Sequence, residues 1–240
     1  MKTFIILLTA LLPVAILAFY IYRKDKDAPE PTGQLIKAFF FGVLSAPLSL
    51  IISGTFSRLG LNPDEVTSVS DAIRTSFFGA AIPEEVMKFV MLWLILRKNR
   101  HFDQNMDGIV YAVCVSLGFA ALENILYLFD NANDFVSVGI VRAIFAVPGH
   151  FCDGILMGFY YSLVKFTTHN RTRNIILTLL APILLHGAYD SILFIGGVTP
   201  AISGVISIVF LYFCFKMWKY AGRKVKEHIA NDSVNNSQNL

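Results

Sequence analysis

Four stretches of this chain place ionisable side chains inside otherwise apolar runs. They read Ile82-Pro83-Glu84-Glu85-Val86-Met87-Lys88, Gly118-Phe119-Ala120-Ala121-Leu122-Glu123-Asn124, Pro148-Gly149-His150-Phe151-Cys152-Asp153 and Leu185-His186-Gly187-Ala188-Tyr189-Asp190. In hydrocarbon an ionisable group costs on the order of 2.5–3.5 kcal/mol on insertion scales, so each one asks for a partner or a task. Glu84 and Lys88 stand at i and i+4 and share a helix face, while Glu85 is turned roughly 100° away. His186 and Asp190 have the same spacing, so the carboxylate can orient the ring. Pro83 removes a backbone hydrogen bond just before the glutamates, which opens the helix to water.

These residue types fit hydrolysis of a peptide bond, which needs an activated water and stabilisation of an oxyanion. Glutamate is a suitable general base. Glu84 is assigned that role, with Glu85 supporting it through a hydrogen bond, although the two could exchange. His186 and Asp190 complete the catalytic set. Glu123, His150 and His186 are one carboxylate and two imidazoles, the ligand types of many catalytic zinc sites, so they could hold a divalent metal such as Zn2+. Asp190 then holds the His186 ring or serves as an alternative ligand. Without a metal the histidines could still donate hydrogen bonds to the oxyanion, and the residue types leave both mechanisms open. Asp153 stands behind His150 in a supporting place, and Arg142 lies near the outer interface or pairs with an acid. Each group alone also has a structural reading, such as a buried ion pair for Glu84-Glu85 with Lys88, or interhelical hydrogen bonding for Glu123-Asn124. No Gly-x-Ser-x-Gly, His-Glu-x-x-His or intramembrane Gly-Asp pattern is present.

The elements that must position these residues are membrane helices. Of 240 residues, 55% are hydrophobic and 15% charged, against about 45–50% and about 25% in soluble domains. That composition argues against a soluble protein, a disordered chain and a nucleic-acid binder. Three cysteines without a Cys-x-x-Cys pair signal neither a disulfide framework nor a zinc finger. A bilayer core needs roughly 20 apolar residues per helix. Seven stretches qualify, at 3–22, 34–53, 73–96, 107–129, 136–163, 175–195 and 201–219, and the first reads as a retained span, not a cleaved signal. The expected fold is therefore an all-α polytopic bundle of about seven transmembrane helices. Fourteen of the twenty Lys and Arg residues fall in alternate connections, around 23–26, 97–100, 165–173 and 216–226. Only Lys2, Arg58 and Arg74 face the other side, so the N-terminus is placed outside and the C-terminus in the cytoplasm.

At about 1.5 Å per residue, Glu84, Glu123, His150 and His186 lie about 17, 9, 21 and 13 Å from the outer ends of their spans. One buried wet site between the outer leaflet and the midplane is expected. Residues 1–230 form one membrane domain, with the chemistry in 73–195 and a polar, disordered cytoplasmic tail at 231–240. In the loop 54–72, Asn62-Pro63-Asp64-Glu65 resembles a capped start of a short surface helix. Neither an internal repeat nor paired broken helices are visible, which weakens a transporter reading.

At these residues the chain resembles the PrsW family of intramembrane proteases. The match lies in Glu84-Glu85-x-x-Lys88, Gly118-Phe119-Ala120-x-x-Glu123-Asn124, Arg142 through Pro148-x-His150, and His186-Gly187-x-x-Asp190. The family is related to the CAAX prenyl endopeptidase and bacteriocin-processing superfamily, whose pattern is Glu-Glu-x-x-x-Arg, Phe-x-x-x-His and His-x-x-x-Asn. This chain has Lys88 one position early, Glu123 where a His would stand, and Asp190 for Asn, departures that favour the PrsW branch over a prenylated substrate. The resemblance implies site-1 cleavage of a single-pass membrane regulator, such as an anti-sigma factor, in a bacterial cytoplasmic membrane. The competing classes are a proton- or ion-coupled transporter, since the same groups build ion relays, and a catalytically silent receptor on the same fold.

Overall fold

A chain segment crosses hydrocarbon only if its backbone polar groups are satisfied internally, which turns each long apolar run into a helix. The computed structural model describes residues 1–26 and 28–238, the last four by backbone alone. Among them are seven helical segments and no strand. These are α1 (Lys2–Lys24), α2 (Thr32–Arg58), α3 (69–96), α4 (Asn105–Asp130), α5 (Phe135–Phe166), α6 (Arg171–Val198) and α7 (200–238). Each contains the span expected from hydropathy and extends beyond it. Six are long and apolar enough to cross a membrane. The exception is α3, whose interior is interrupted by Glu84, Glu85 and Lys88. The chain is an all-α, multi-pass membrane protein.

α4 is the hub. It is buried along most of its length and packs on α1, α2, α5 and α7, whereas the other spanning helices bury a minor share of their apolar length. Glycine makes the approach possible. A Cβ on Gly42 of α2 would lie 1.9 Å from the Val115 carbonyl oxygen of α4, and one on Gly118 would lie 2.0 Å from that of Phe39. On the opposite side, a Cβ on Gly158 of α5 would lie 2.2 Å from the Gly108 carbonyl oxygen. Backbones this close gain dispersion contacts that a bilayer does not otherwise favour. Polar ties add direction, since Ser116 Oγ donates to the His150 carbonyl at 2.6 Å and Asn124 Nδ2 to that of Ala10 at 3.1 Å.

Two helices change pitch just before their site motifs. α3 is π-helical over Thr75–Ala81 and returns to α-helix over Ile82–Leu96, while α5 is π-helical over Arg142–Ala146 and α-helical over Val147–Phe166. In each, a proline stands second in the segment that follows, Pro83 and Pro148. Proline lacks an N–H and crowds the carbonyl four residues back, and a wider turn upstream accommodates both effects.

Two sequence expectations differ from the structure. No helix starts at Asn62, which lies in a non-helical connection and donates from Nδ2 to Ser57 Oγ at 3.0 Å. α3 starts instead at Ser68, whose Oγ accepts from Asp71 N at 3.1 Å while Asp71 Oδ2 accepts from Ser68 N at 3.1 Å. That reciprocal cap supplies the orphan donors of the first turn. At the other end, α7 continues to Gln238 through most of the tail expected to be disordered, and residues 239 and 240 lie outside the described residues. Asp232 accounts for the continuation. Its Oδ1 accepts from Asn105 N and Nδ2 at 2.9 and 2.8 Å, and its Oδ2 from Met106 N at 2.8 Å, so it caps α4 from a distance.

The orientation read from the basic connections has a direct check. Cysteines placed by Asn99→Cys and Asn170→Cys are expected to react with a membrane-impermeant maleimide only from the cytoplasmic side, the native cysteines being buried. Labelling of either position from outside reverses the assigned topology.

Candidate active site

The four motifs meet. α3 contributes Glu84, Glu85 and Lys88, α4 Glu123, α5 His150 and Asp153, and α6 His186 and Asp190. Lys88 Nζ lies at the junction, donating to Glu85 Oε1 at 2.7 Å and reaching Glu84 Oε2 at 3.5 Å and His150 Nδ1 at 3.1 Å. The ammonium also sits 4.1 Å from the centre of the Phe119 ring, a favourable place for a desolvated cation. An ammonium only donates, so His150 Nδ1 accepts and its Nε2 carries the proton towards Glu123 Oε2, 2.8 Å away.

His186 faces acids on both ring nitrogens. Nδ1 is 2.9 Å from Glu85 Oε1 and 3.9 Å from Asp153 Oδ2, while Nε2 is 3.3 Å from Asp190 Oδ2 and 3.9 Å from Glu84 Oε2. The His150 and His186 rings stand edge to face, 5.4 Å between centroids. Arg142 closes the outer side. Its Nη2 donates to Glu123 Oε2 at 2.6 Å, its Nε to Asn124 Oδ1 at 2.6 Å, and its guanidinium covers Tyr127 at 4.1 Å.

All six residues singled out for chemistry are therefore brought together, and their environments divide them. A cavity of about 280 Å³ is lined by Glu84, Glu123, His150, Asp153, His186 and Asp190, with Tyr127 and Tyr189 on its walls. Glu85 is absent from that lining and is sealed from water. Donor atoms of Glu84, Glu85, His150 and His186 all lie within 4.8 Å of one another. Glu123, expected as a metal ligand, is outside this group, and its Oε2 is engaged by His150 Nε2 and Arg142. Lys88 pairs with both glutamates, at 3.5 Å with Glu84 on its own helix face and more closely, at 2.7 Å, with Glu85. Arg142, expected at the interface or beside an acid, pairs with Glu123.

Spacing alone marks the two tyrosines in the sequence. Tyr127 lies four residues after Glu123 and Tyr189 three after His186, a spacing that puts each on the face of a site residue.

The donor set suits a cation. The site gathers five carboxylates, Glu84, Glu85, Glu123, Asp153 and Asp190, against two cations, Lys88 paired with Glu84 and Glu85, and Arg142 paired with Glu123. Two of the carboxylate oxygens, Glu85 Oε2 and Asp153 Oδ1, are buried without a hydrogen-bond partner. Imidazole nitrogens and carboxylate oxygens within a few ångströms are the ligand types that zinc prefers. Each histidine holds a carboxylate on Nε2, Glu123 on His150 and Asp190 on His186, the pattern that fixes a ligating ring.

Comparison with known proteins agrees with this chemistry. Residues 30–217 match the family described as PrsW family intramembrane metalloprotease. The chain is 32% identical to protease PrsW of Clostridioides difficile (strain 630) over 229 residues, 93% of this chain and 94% of that one. It is 35% identical to protease PrsW of Bacillus subtilis (strain 168) over 225 residues, covering 93% and 95%. Protease PrsW of Oceanobacillus iheyensis is 36% identical over 188 residues, covering 78% and 82%. No solved structure matches the chain.

The Arg142–Glu123 pair can be measured on its own. Their side chains are only 12% and 22% exposed, so Arg142→Ala is expected to cost roughly 3 kcal/mol by leaving a buried carboxylate short of a partner. In a double-mutant cycle with Glu123→Ala, unfolding in mixed micelles should give a coupling of at least about 1 kcal/mol. Additive single effects would mean that the two side chains do not stabilise each other.

Proposed function

Because the chain belongs to the PrsW family of intramembrane metalloproteases, we propose that it hydrolyses a peptide bond on the outer side of a single-pass membrane regulator. An enzyme of this family acts on membrane-embedded substrates. The finer reading is site-1 cleavage of an anti-sigma-factor-like protein in a bacterial cytoplasmic membrane, with residues 1–230 working as one protease domain. The placement of the cavity supports the outward side. Tyr127 near the end of α4, Arg142 near the start of α5 and Phe194 near the end of α6 all line it, and these helix ends point outward by the positive-inside rule.

Glu84 is the general base. The observation that carries this is the contrast between neighbours: the Glu84 side chain is 14% exposed and lines the cavity, while Glu85 is 0% exposed and held by Lys88 and His186. A water in the cavity gives a proton to Glu84 as its oxygen attacks the scissile carbonyl carbon. The carbonyl electron pair moves onto oxygen, and its return expels the amine, which takes the proton that Glu84 holds. Arg142 keeps Glu123 against His150, and Asp190 keeps His186 turned towards Glu85.

Glu85, His150 and His186 would hold the divalent metal, zinc by ligand type. Bound there, it supplies a lowered pKa for water and polarises the carbonyl. A second reading is favoured by Lys88, whose ammonium already bridges Glu85 and His150. In that reading no metal is used, and Lys88 with His186 donates to the oxyanion.

Purified protein with a fluorogenic transmembrane peptide tests the assignment. Glu84→Gln preserves size and hydrogen bonding but removes the base, so cleavage should fall by roughly 10²-fold or more. A folded Glu84→Gln protein with near-full cleavage refutes the role of Glu84, and gradient-driven ion uptake without cleavage would move the chain to the transporter class.

A further inference from the structure

A second cavity, of about 430 Å³, lies at the opposite end of the bundle from the outer opening, between α3, α5 and α6. Its volume falls in the range of small-molecule sites, roughly 300–1,000 Å³. Arg97, Lys165 and Arg171 line it, with no carboxylate among the described lining residues, Asp103 and Asp107 act on Lys165 from beyond the lining, and Trp93, Phe102 and Tyr161 form aromatic walls. Two of the cations are pre-positioned. The Arg97 guanidinium lies 4.8 Å over the Trp93 ring, and Lys165 Nζ sits 4.1 Å over the Phe102 ring while donating to the Phe102 carbonyl oxygen. A stacked guanidinium still presents its N–H edge, and an ammonium held by one acceptor has two further donors.

Three cations and an apolar wall at one membrane interface match a molecule that is anionic at one end and hydrocarbon along the other. Basic pockets between transmembrane helices on the cytoplasmic side take lipid head groups for this reason. We infer that this cavity binds the phosphate of an anionic phospholipid between Arg97, Lys165 and Arg171, with an acyl chain lying along Trp93. The site shares no lining residue with the glutamate–histidine cavity and does not depend on the proteolytic reading. It makes the cytoplasmic ends of α3, α5 and α6 a unit that an anionic leaflet holds together.

Trp93 is a built-in reporter, since the chain has two tryptophans and Trp218→Phe leaves it alone. The Trp218→Phe protein is reconstituted in phosphatidylcholine vesicles containing a minor fraction of chain-brominated phosphatidylglycerol. Per mole, that lipid should quench Trp93 at least about tenfold more effectively than chain-brominated phosphatidylcholine, given about 1 kcal/mol for each nearby cation. Arg171→Gln should cut the preference roughly fivefold and Arg171→Lys should keep most of it. Arg100→Gln, which removes the same charge outside the cavity, should leave it unchanged. Equal quenching by the two lipids overturns the proposal. So does an equal loss from Arg100→Gln, which would mean diffuse attraction to a basic surface. Displacement of the preference by inorganic phosphate at constant ionic strength would assign the cavity to free phosphate instead.

Discussion

Lys88 and Glu85 form an ion pair shut away from water, their side chains 1% and 0% exposed, and the rest of the site is arranged around it. A pair this deep does not stabilise a fold by itself, because desolvation of both charges offsets most of the attraction. Its effect here is to fix positions. Glu85 reaches across to His186 on α6, and Lys88 reaches His150 on α5, so one turn of α3 sets both imidazoles. Glu84, the adjacent residue, is left with weaker contacts and faces the cavity. Two neighbouring glutamates thereby acquire different surroundings from position alone.

That arrangement is only as accurate as the helices that carry it. The close approach of α2 and α5 to α4, set by Gly42, Gly118, Gly108 and Gly158, gives a stiff centre on which Glu123 is mounted. Ser116 then ties α4 to the backbone of His150 itself. The π turns before Pro83 and Pro148 rotate the segments that follow, and both segments carry site residues in their first turn. π turns recur at functional sites because the inserted residue re-aims side chains without ending the helix.

Much of this was legible in the sequence, for a reason peculiar to membranes. Every charge in hydrocarbon needs an explanation, so Glu84, Glu85, Glu123, His150, His186 and Asp190 stood out against an apolar background. Depth along each span then predicted that they meet. What spacing could not say is which neighbour each would choose. Lys88 lies at i+4 from Glu84 and i+3 from Glu85, and both pairings are sterically open to a helix. The choice was made by His186, which draws Glu85 inward. Glu123 read as a ligand because spacing does not say which acid Arg142, nineteen residues on and in another helix, would take. The continuation of α7 was hidden similarly, since Asp232 finds its partners 126 and 127 residues away.

In the proposed metal-dependent centre of five converging carboxylates and two histidines, Glu84 would act on water while Glu85, His150 and His186 would hold the ion. Elemental analysis of detergent-purified, cleavage-competent protein tests it most directly. One divalent metal per chain is expected, retained in Glu84→Gln and lost in a folded His150→Ala or His186→Ala protein. An active preparation free of metal, or one whose metal content is unchanged by both histidine substitutions, would contradict it.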